Sequence, residues 1–229
     1  METVTINLDK VMHYIFRRKT RKAGMHLHSC LMEAVREARK ATGRYIHTGK
    51  KIPGRHHGSW LGAIGYMILL DHIGDCYKPI ESQLSRSNGY LRALEYFTNL
   101  GERDRNALYA LRCSFAHEFS LSNIPKCRRE SLKGRFQHRF VVCVGGRFVV
   151  RLPKRCWDGN HDHISDECKT WVDLEGFGDM VEEVVASLKE LEKHKKLEAT
   201  LNGGKKELFQ RYTFWTGWHG KPPAPLFPC

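Results

Sequence analysis

The spacing of apolar and polar positions divides the chain into a helical first half and a mixed second half. Before residue 120, apolar residues recur every three to four positions, which is the spacing of one helix face. The predicted helices cover residues 26–41, 59–77, 88–100 and 105–119. Long helices joined by short connections are typical of an antiparallel helical bundle.

The pattern changes after Pro125. Residues 136–152 contain two β-branched runs around a Gly-Gly pair, which predicts a β-hairpin. Residues 170–174 predict a short strand, and residues 178–198 return to helical spacing. The aromatic and then proline-rich stretch 209–229 predicts an irregular or flexible end.

These elements together predict a mainly α protein, an antiparallel helical bundle with an added β-hairpin and a C-terminal helix. Residues 1–125 are expected to form the bundle, with a basic N-terminal arm and a basic loop. Residues 126–229 are expected to place the hairpin and the helix against the bundle and to end in a flexible tail. A chain of 229 residues can bury such a core as one large domain or as a domain with an appendage.

Charge indicates the kind of partner. The chain has 38 Lys and Arg against 25 Asp and Glu, a net charge of +13, which favours a polyanion such as RNA or DNA. Residues 17–22 hold five Lys or Arg, and residues 42–58 form a Gly-rich loop that is also basic. We predict that this loop contacts RNA phosphates through four residues: Arg44, Lys50, Lys51 and Arg55. A merely solvated basic surface is the alternative.

Cysteine usage indicates the compartment. Eight cysteines are scattered without a CxxC pair, and the N-terminus lacks a charged-then-apolar leader. We therefore expect reduced thiols and a cytoplasmic protein. The longest uncharged run, Gly58 to Leu70, is too short to span a bilayer, so no membrane segment is expected.

One polar segment contains residues that could bind zinc. Two thiols and two imidazoles lie within thirteen residues, at Cys156, His161, His163 and Cys168, and four such ligands could close a tetrahedral site. Their spacing lacks the CxxC or HxxxH pattern that places two ligands on one turn. A plain surface loop is the other interpretation, and we expect no metal and no cofactor.

The predicted helix 105–119 carries the candidate chemistry. Its core stripe consists of Leu108, Leu111, Phe115 and Phe119. The opposite side is small and uncharged at Asn106, Ala110, Cys113 and His117, which suggests close approach by another helix. Five helical residues turn about 140°, so Arg112 and His117 do not meet within one straight helix. We therefore predict a site assembled between helices or protomers, and a homodimer whose interface includes Ala110, Cys113 and His117.

Arg112 is expected at the edge of the core face, where a buried guanidinium needs a partner. Asp71 and Asp75 stand one turn apart near the end of the predicted helix 59–77, and Arg112 is a candidate partner for one of them. The pair is interpreted first as a structural salt bridge and second as a means of orienting the arginine.

The stretch Arg112-Cys-Ser-Phe-Ala-His117 resembles the Arg-x-x-x-x-His signature of the HEPN superfamily. Members are small helical-bundle domains, commonly dimeric, and many are metal-independent ribonucleases of toxin, antiphage and RNA-processing systems. The resemblance covers roughly residues 26–120. It departs from the family pattern at Cys113, where a polar residue is usual.

The resemblance implies cleavage of RNA phosphodiesters by the substrate's own 2′-hydroxyl, without a metal. His117 would act as general base or acid, Arg112 would bind the scissile phosphate, and Ser114 could add a hydrogen bond. An antitoxin protein would be a fitting partner. The alternative is a non-catalytic HEPN-like module that binds RNA or protein and whose Arg112 and His117 are structural.

Overall fold

Helices and short strands alternate in the computed structural model, which describes residues 7–16, 20–22, 25–125, 136–162 and 165–216. Within these residues the α-helices are α1 (Val11–Phe16), α2 (Cys30–Ala41), α3 (Trp60–Cys76), α4 (Gly89–Phe97), α5 (Glu102–Glu118), α6 (Leu174–Lys193) and α7 (Gly204–Tyr212). The strands are β1 (Thr20–Lys22), β2 (Met25–Ser29), β3 (Tyr77–Pro79), β4 (Ser122–Asn123), β5 (His138–Cys143), β6 (Val150–Arg151), β7 (Lys169–Asp173), β8 (Leu197–Ala199) and β9 (Thr213–Thr216). About half of the described residues are helical. The fold is therefore a mixture of helices and small sheets, and the expectation of a mainly α bundle was too simple.

Helix α3 is the central element, because its sequence is apolar on nearly every side. It contacts α2, α4, α5 and α6. Its approach to α4 is at backbone distance, since a Cβ on Gly74 would collide with the carbonyl oxygen of Gly89. The predicted helices 59–77 and 88–100 are confirmed as α3 and α4, although α4 ends earlier than predicted, at Phe97. The N-cap of α4 is Asn88, whose Oδ1 accepts from the backbone N–H of Leu91 at 3.0 Å.

Helix α5 confirms most of the predicted stripe. Leu108, Leu111 and Phe115 are fully buried. Phe119 was expected on the same stripe, but its side chain is 65% exposed. The helix ends at Glu118, and Phe119 caps it with a φ of 51°, so the left-handed turn carries its side chain off the core face.

The two ends of the described chain form a sheet that the pattern of apolar residues did not predict. Residues 26–29 were expected to begin a helix but belong to β2 (Met25–Ser29), and Ser29 then caps α2 by accepting from the N–H of Met32. Strand β2 pairs antiparallel with both β1 and β9. The stretch 209–216, expected to be irregular, belongs to α7 and β9, and Phe209 is buried. Residues 17–19 and 217–229 lie outside the described residues.

The predicted hairpin at residues 136–152 is wrong, although both of its runs are strands. The sheet order is β4-β5-β7-β6, so β7 lies between the two runs, parallel to β5 and antiparallel to β6. Asp173, at the end of β7, explains this arrangement. Its carboxylate accepts from the backbone N–H groups of Gly145 (3.2 Å) and Arg147 (3.0 Å) and also caps α6 through Glu175 (3.1 Å). The loop is thereby held around the end of β7.

One hydrophobic core contains residues from both halves of the sequence. Helix α6 contacts α1, α3 and α4, and its Phe177, Val181, Val184 and Leu188 are fully buried. In the parts of the chain that the structure describes, no helix is both long enough and apolar enough to cross a membrane.

Candidate functional site

Arg112 of α5 and Asp71 of α3 form an ion pair. Nε of Arg112 donates to Oδ2 of Asp71 at 2.8 Å, and Nη2 lies 2.7 Å from the same oxygen. Each side chain is 24% exposed, so the pair lies at the surface rather than in the core. Burial lowers the pKa of Arg112, but the hydrogen bond and the charge of Asp71 outweigh it and raise that pKa. The guanidinium is therefore charged and fixed in direction.

The second carboxylate is not part of this pair. Oδ1 of Asp75 lies 2.6 Å from Nη2 of Arg92 on α4. Two Arg–Asp pairs thus follow each other along α3, one to α5 and one to α4. The expectation that Arg112 meets one of the two aspartates is confirmed for Asp71.

Aromatic hydroxyls and a thiol surround Arg112. Tyr90 is fully buried, and its hydroxyl has no hydrogen-bond partner among the described residues. Its ring lies 6.2 Å from that of Tyr109. Burial raises the pKa of Tyr90, and burial together with the hydrogen bond to Cys113 raises the pKa of Tyr109. Both phenols are therefore neutral hydrogen-bonding groups beside the charged pair.

Ser114 does not face the site. Its side chain is buried, and its Oγ donates to the carbonyl oxygens of Ala110 and Leu111, both at 3.2 Å. Ala110 and Asn106 are also buried, at 1% and 5% exposure. The face that was expected to meet a partner helix is therefore largely inside the chain's own core, and of its described members only Cys113 is partly exposed.

His117 lies in the last turn of α5, and its side chain is outside the described residues. The helix is continuous from Glu102 to Glu118. The positions of Arg112 and His117 are therefore separated by about 7.5 Å along the axis and about 140° around it. One helix carries both residues on different sides, as expected.

The four cations of the basic loop fall into two pairs, one held in ion pairs and one exposed. The Arg44 side chain is 2% exposed and pairs with Asp179 of α6 at 2.8 Å. Lys51 pairs with Glu175 at 2.5 Å and with Asp179 at 2.8 Å.

These two cations therefore fasten the loop to α6. Lys50 and Arg55 are exposed, so the predicted phosphate contact depends mainly on them. The side chains of the basic segment 17–22 lie outside the described residues.

The segment considered for zinc forms a surface loop. Cys156 is exposed, and the carbonyl oxygen of His161 accepts from Arg139 at 3.0 Å. His163 lies outside the described residues. Among the side chains that are described, no three His, Cys, Asp or Glu come together as a metal site.

A local charge excess in the sequence was overlooked. Residues 126–155 contain ten Lys or Arg and one Glu, and most of this segment that the structure describes lies in or beside the four-stranded sheet. A sliding sum of charge over a long window would have found it, because its basic residues are spread over a longer stretch than either of the two segments singled out earlier.

No protein-family model, curated protein or solved structure matches the chain. The function is therefore inferred from the geometry of the Arg112 site and from the distribution of charge.

Proposed function

We propose that the chain is a metal-independent endoribonuclease of HEPN type, of the kind found in toxin and antiphage defence systems. The proposal is carried by one observation: Asp71 holds the Arg112 guanidinium in a partly exposed position on the helix whose last turn contains His117. A planar, permanently charged donor is suited to a phosphodiester, whose negative charge increases in the transition state.

In the proposed reaction, His117 removes the proton from a ribose 2′-hydroxyl. The 2′-oxygen attacks the adjacent phosphorus, and the bond from phosphorus to the 5′-oxygen breaks. The products are a 2′,3′-cyclic phosphate and a 5′-hydroxyl, the latter protonated by a general acid. Arg112 stabilises the added charge on the phosphoryl oxygens, and Asp71 is its positioning residue. An imidazole is suited to the proton transfer because its ordinary pKa is about 6.5.

The proposed enzyme is a homodimer, because one helix leaves Arg112 and His117 on different sides. Support comes from α3, where Leu61 and Ile68 are 72% and 58% exposed on a central helix whose other residues are mostly buried. Ile68 is one turn from Asp71, so a second copy on this stripe would lie beside Arg112.

The second candidate is a non-catalytic RNA-binding or protein-interaction module. The Arg112–Asp71 pair itself favours it, since such a pair also fastens α5 to α3 as Arg92–Asp75 fastens α4 to α3. The inward direction of Ser114 agrees with a structural role for this part of α5.

The test is cleavage of single-stranded RNA in EDTA by wild type, His117→Ala, Arg112→Ala and Arg92→Ala. Arg92→Ala is the matched control, because it removes an equivalent Arg–Asp pair one turn further along α3. Removing a transition-state donor costs roughly 100- to 1,000-fold in rate, so Arg112→Ala should lose at least that much while Arg92→Ala retains activity.

The ends of the products decide between mechanisms. A cyclic phosphate on the 5′ fragment agrees with attack by the 2′-hydroxyl. Cleavage that persists in His117→Ala would reject the assignment. Wild-type protein that binds RNA but does not cut it would favour the non-catalytic module.

A further inference from the structure

The four-stranded sheet has one buried face and one half-exposed face. Side chains alternate between the faces of a strand. Phe140 of β5 and Thr170 and Val172 of β7 are buried, whereas Val141 and Trp171 between them are half-buried. The second group lies on what we call the outer face of the sheet.

A row of side chains crosses the outer face at Trp171. The register places Val141 of β5 on one side of Trp171 and Arg151 of β6 on the other. The Arg151 guanidinium carbon lies 5.2 Å from the Trp171 ring centroid and 5.3 Å from that of Phe148. Contacts at this distance are cation–π interactions. They place a planar cation beside two aromatic rings at the surface.

The edge of the sheet at β6 is basic. Arg147 precedes the strand, Arg151 ends it, and Lys154 and Arg155 follow it, all of them exposed. Arg155 lies 3.5 Å from Glu167, and the other three form no ion pair with any residue that the structure describes. The positive charge at this edge is therefore largely uncompensated within the described chain, and it is complementary to a row of phosphates.

We propose that the outer face of this sheet binds single-stranded RNA. Bases stack on Trp171, Phe148 and the Arg151 guanidinium, and phosphates contact Arg147 and Lys154. A single strand fits better than a duplex, because only unstacked bases present their faces to aromatic and guanidinium planes. Binding at this surface does not depend on the proposed catalytic activity. Only the choice of RNA over DNA rests on the proposed function, whose cleavage chemistry needs a 2′-hydroxyl.

One edge of the sheet lies near the end of α5, the helix that carries Arg112. Four strands are about 14 Å across, and the edge opposite β6 is β4, where Ser122 pairs with Arg139 of β5. Ser122 is five residues after His117, a distance of at most about 18 Å along the chain. A strand of RNA that crosses the outer face from β6 to β4 therefore ends near the last turn of α5.

The test is fluorescence anisotropy of a labelled single-stranded RNA oligomer as salt is increased. Arg147→Gln combined with Lys154→Gln should weaken binding and reduce the log–log salt slope by about 0.7 for each lost phosphate contact. The matched control is Lys40→Gln combined with Lys205→Gln, which removes the same charge from exposed positions on α2 and α7. The control should bind as wild type does.

Two further variants separate stacking from charge. Arg151→Lys retains the charge but not the guanidinium plane, so it should keep the salt slope and lose affinity. Trp171→Leu should lose about 5- to 150-fold in affinity. Circular dichroism checks that each variant is folded.

Three results would overturn the inference. The first is sheet variants that bind RNA as wild type does, with an unchanged salt slope. The second is a duplex that binds more tightly than the single strand. The third is a DNA oligomer of the same sequence that binds more tightly than the RNA. His117→Ala separates this inference from the proposed function, since it should abolish cleavage and leave binding and its salt slope unchanged.

Discussion

The stability of the protein should fall in mild acid because of one buried imidazole, that of His72 on α3. Its Nδ1 lies 3.7 Å from Sγ of Cys76, and its ring centroid lies 4.3 Å from that of Tyr212. Nε2 is buried and has no hydrogen-bond partner among the described residues. Burial lowers the pKa of His72 to about 4; the charge of Asp75 opposes this shift and that of Arg211 adds to it.

The magnitude follows from linkage between proton binding and folding. In the unfolded chain a histidine has a pKa of about 6.5. Because the folded value is lower, the unfolded state takes up the proton first as the pH falls. The contribution of neutral His72 is complete above about pH 6.5, and it decreases by about 2 kcal/mol at pH 5 and about 3 kcal/mol at pH 4. Below the folded pKa the loss levels off.

The assay is urea unfolding of wild type and His72→Phe, followed by circular dichroism from about pH 7.5 to about pH 4. Phenylalanine keeps a ring against Tyr212 but cannot titrate. The wild type should therefore lose about 3 kcal/mol more than the variant over this range. Carboxylates elsewhere titrate equally in both proteins and cancel in the difference.

His56→Gln, which replaces an exposed imidazole, is the control for removing a histidine as such. It should follow the wild-type curve. Parallel loss of stability in wild type and His72→Phe would refute the reasoning, because another group would then account for the acid sensitivity.

Three further predictions concern packing and assembly. Glu182→Gln should cost roughly 3–5 kcal/mol in the free energy of unfolding, measured in urea, because Arg39, which is 4% exposed and within 2.6 Å of that carboxylate, would be left as a buried unpaired charge. Gly74→Ala should cost about 1–3 kcal/mol by forcing α4 away from α3, and an unchanged melting curve would contradict that contact. Ile68→Glu should convert the proposed dimer to a monomer in light scattering, whereas Leu84→Glu, equally exposed elsewhere, should not.

The pattern of apolar residues was enough to predict most helices of the core, but it missed α1 and α7, which also contribute buried residues. Helices α3, α4 and α6 were predicted because their burial depends on local spacing, which the sequence displays directly. The bounds of α6 were shifted, since 178–198 was predicted and Leu174–Lys193 is observed, with β8 following at Leu197–Ala199. The same applies to β7, predicted at 170–174 and observed at Lys169–Asp173. The meeting of Arg112 with an aspartate of α3 was also predictable, since a partly buried guanidinium requires a carboxylate and few were within reach.

Pairing between distant segments was decided only by the tertiary structure. Two strands around Gly145-Gly146 satisfy every local condition for a hairpin, yet β7 takes the position between them. The deciding contacts come from the carboxylate of Asp173, 26 residues beyond Arg147 in sequence. Strand β2 shows the same limit, because its partner β9 lies at the other end of the described chain.

The charged residues show most clearly what the sequence determines and what depends on the tertiary structure. Composition determined that the protein carries an excess of positive charge, but not where that charge is available to a partner. By sequence alone, nothing distinguishes Arg44 and Lys51 from Lys50 and Arg55. In the structure the first two form ion pairs with acidic residues of α6. A sequence shows the charge of each residue and the local spacing of apolar residues. Whether the charge is neutralised depends on which distant carboxylate the fold brings within hydrogen-bonding distance, and that is a property of the packed chain as a whole.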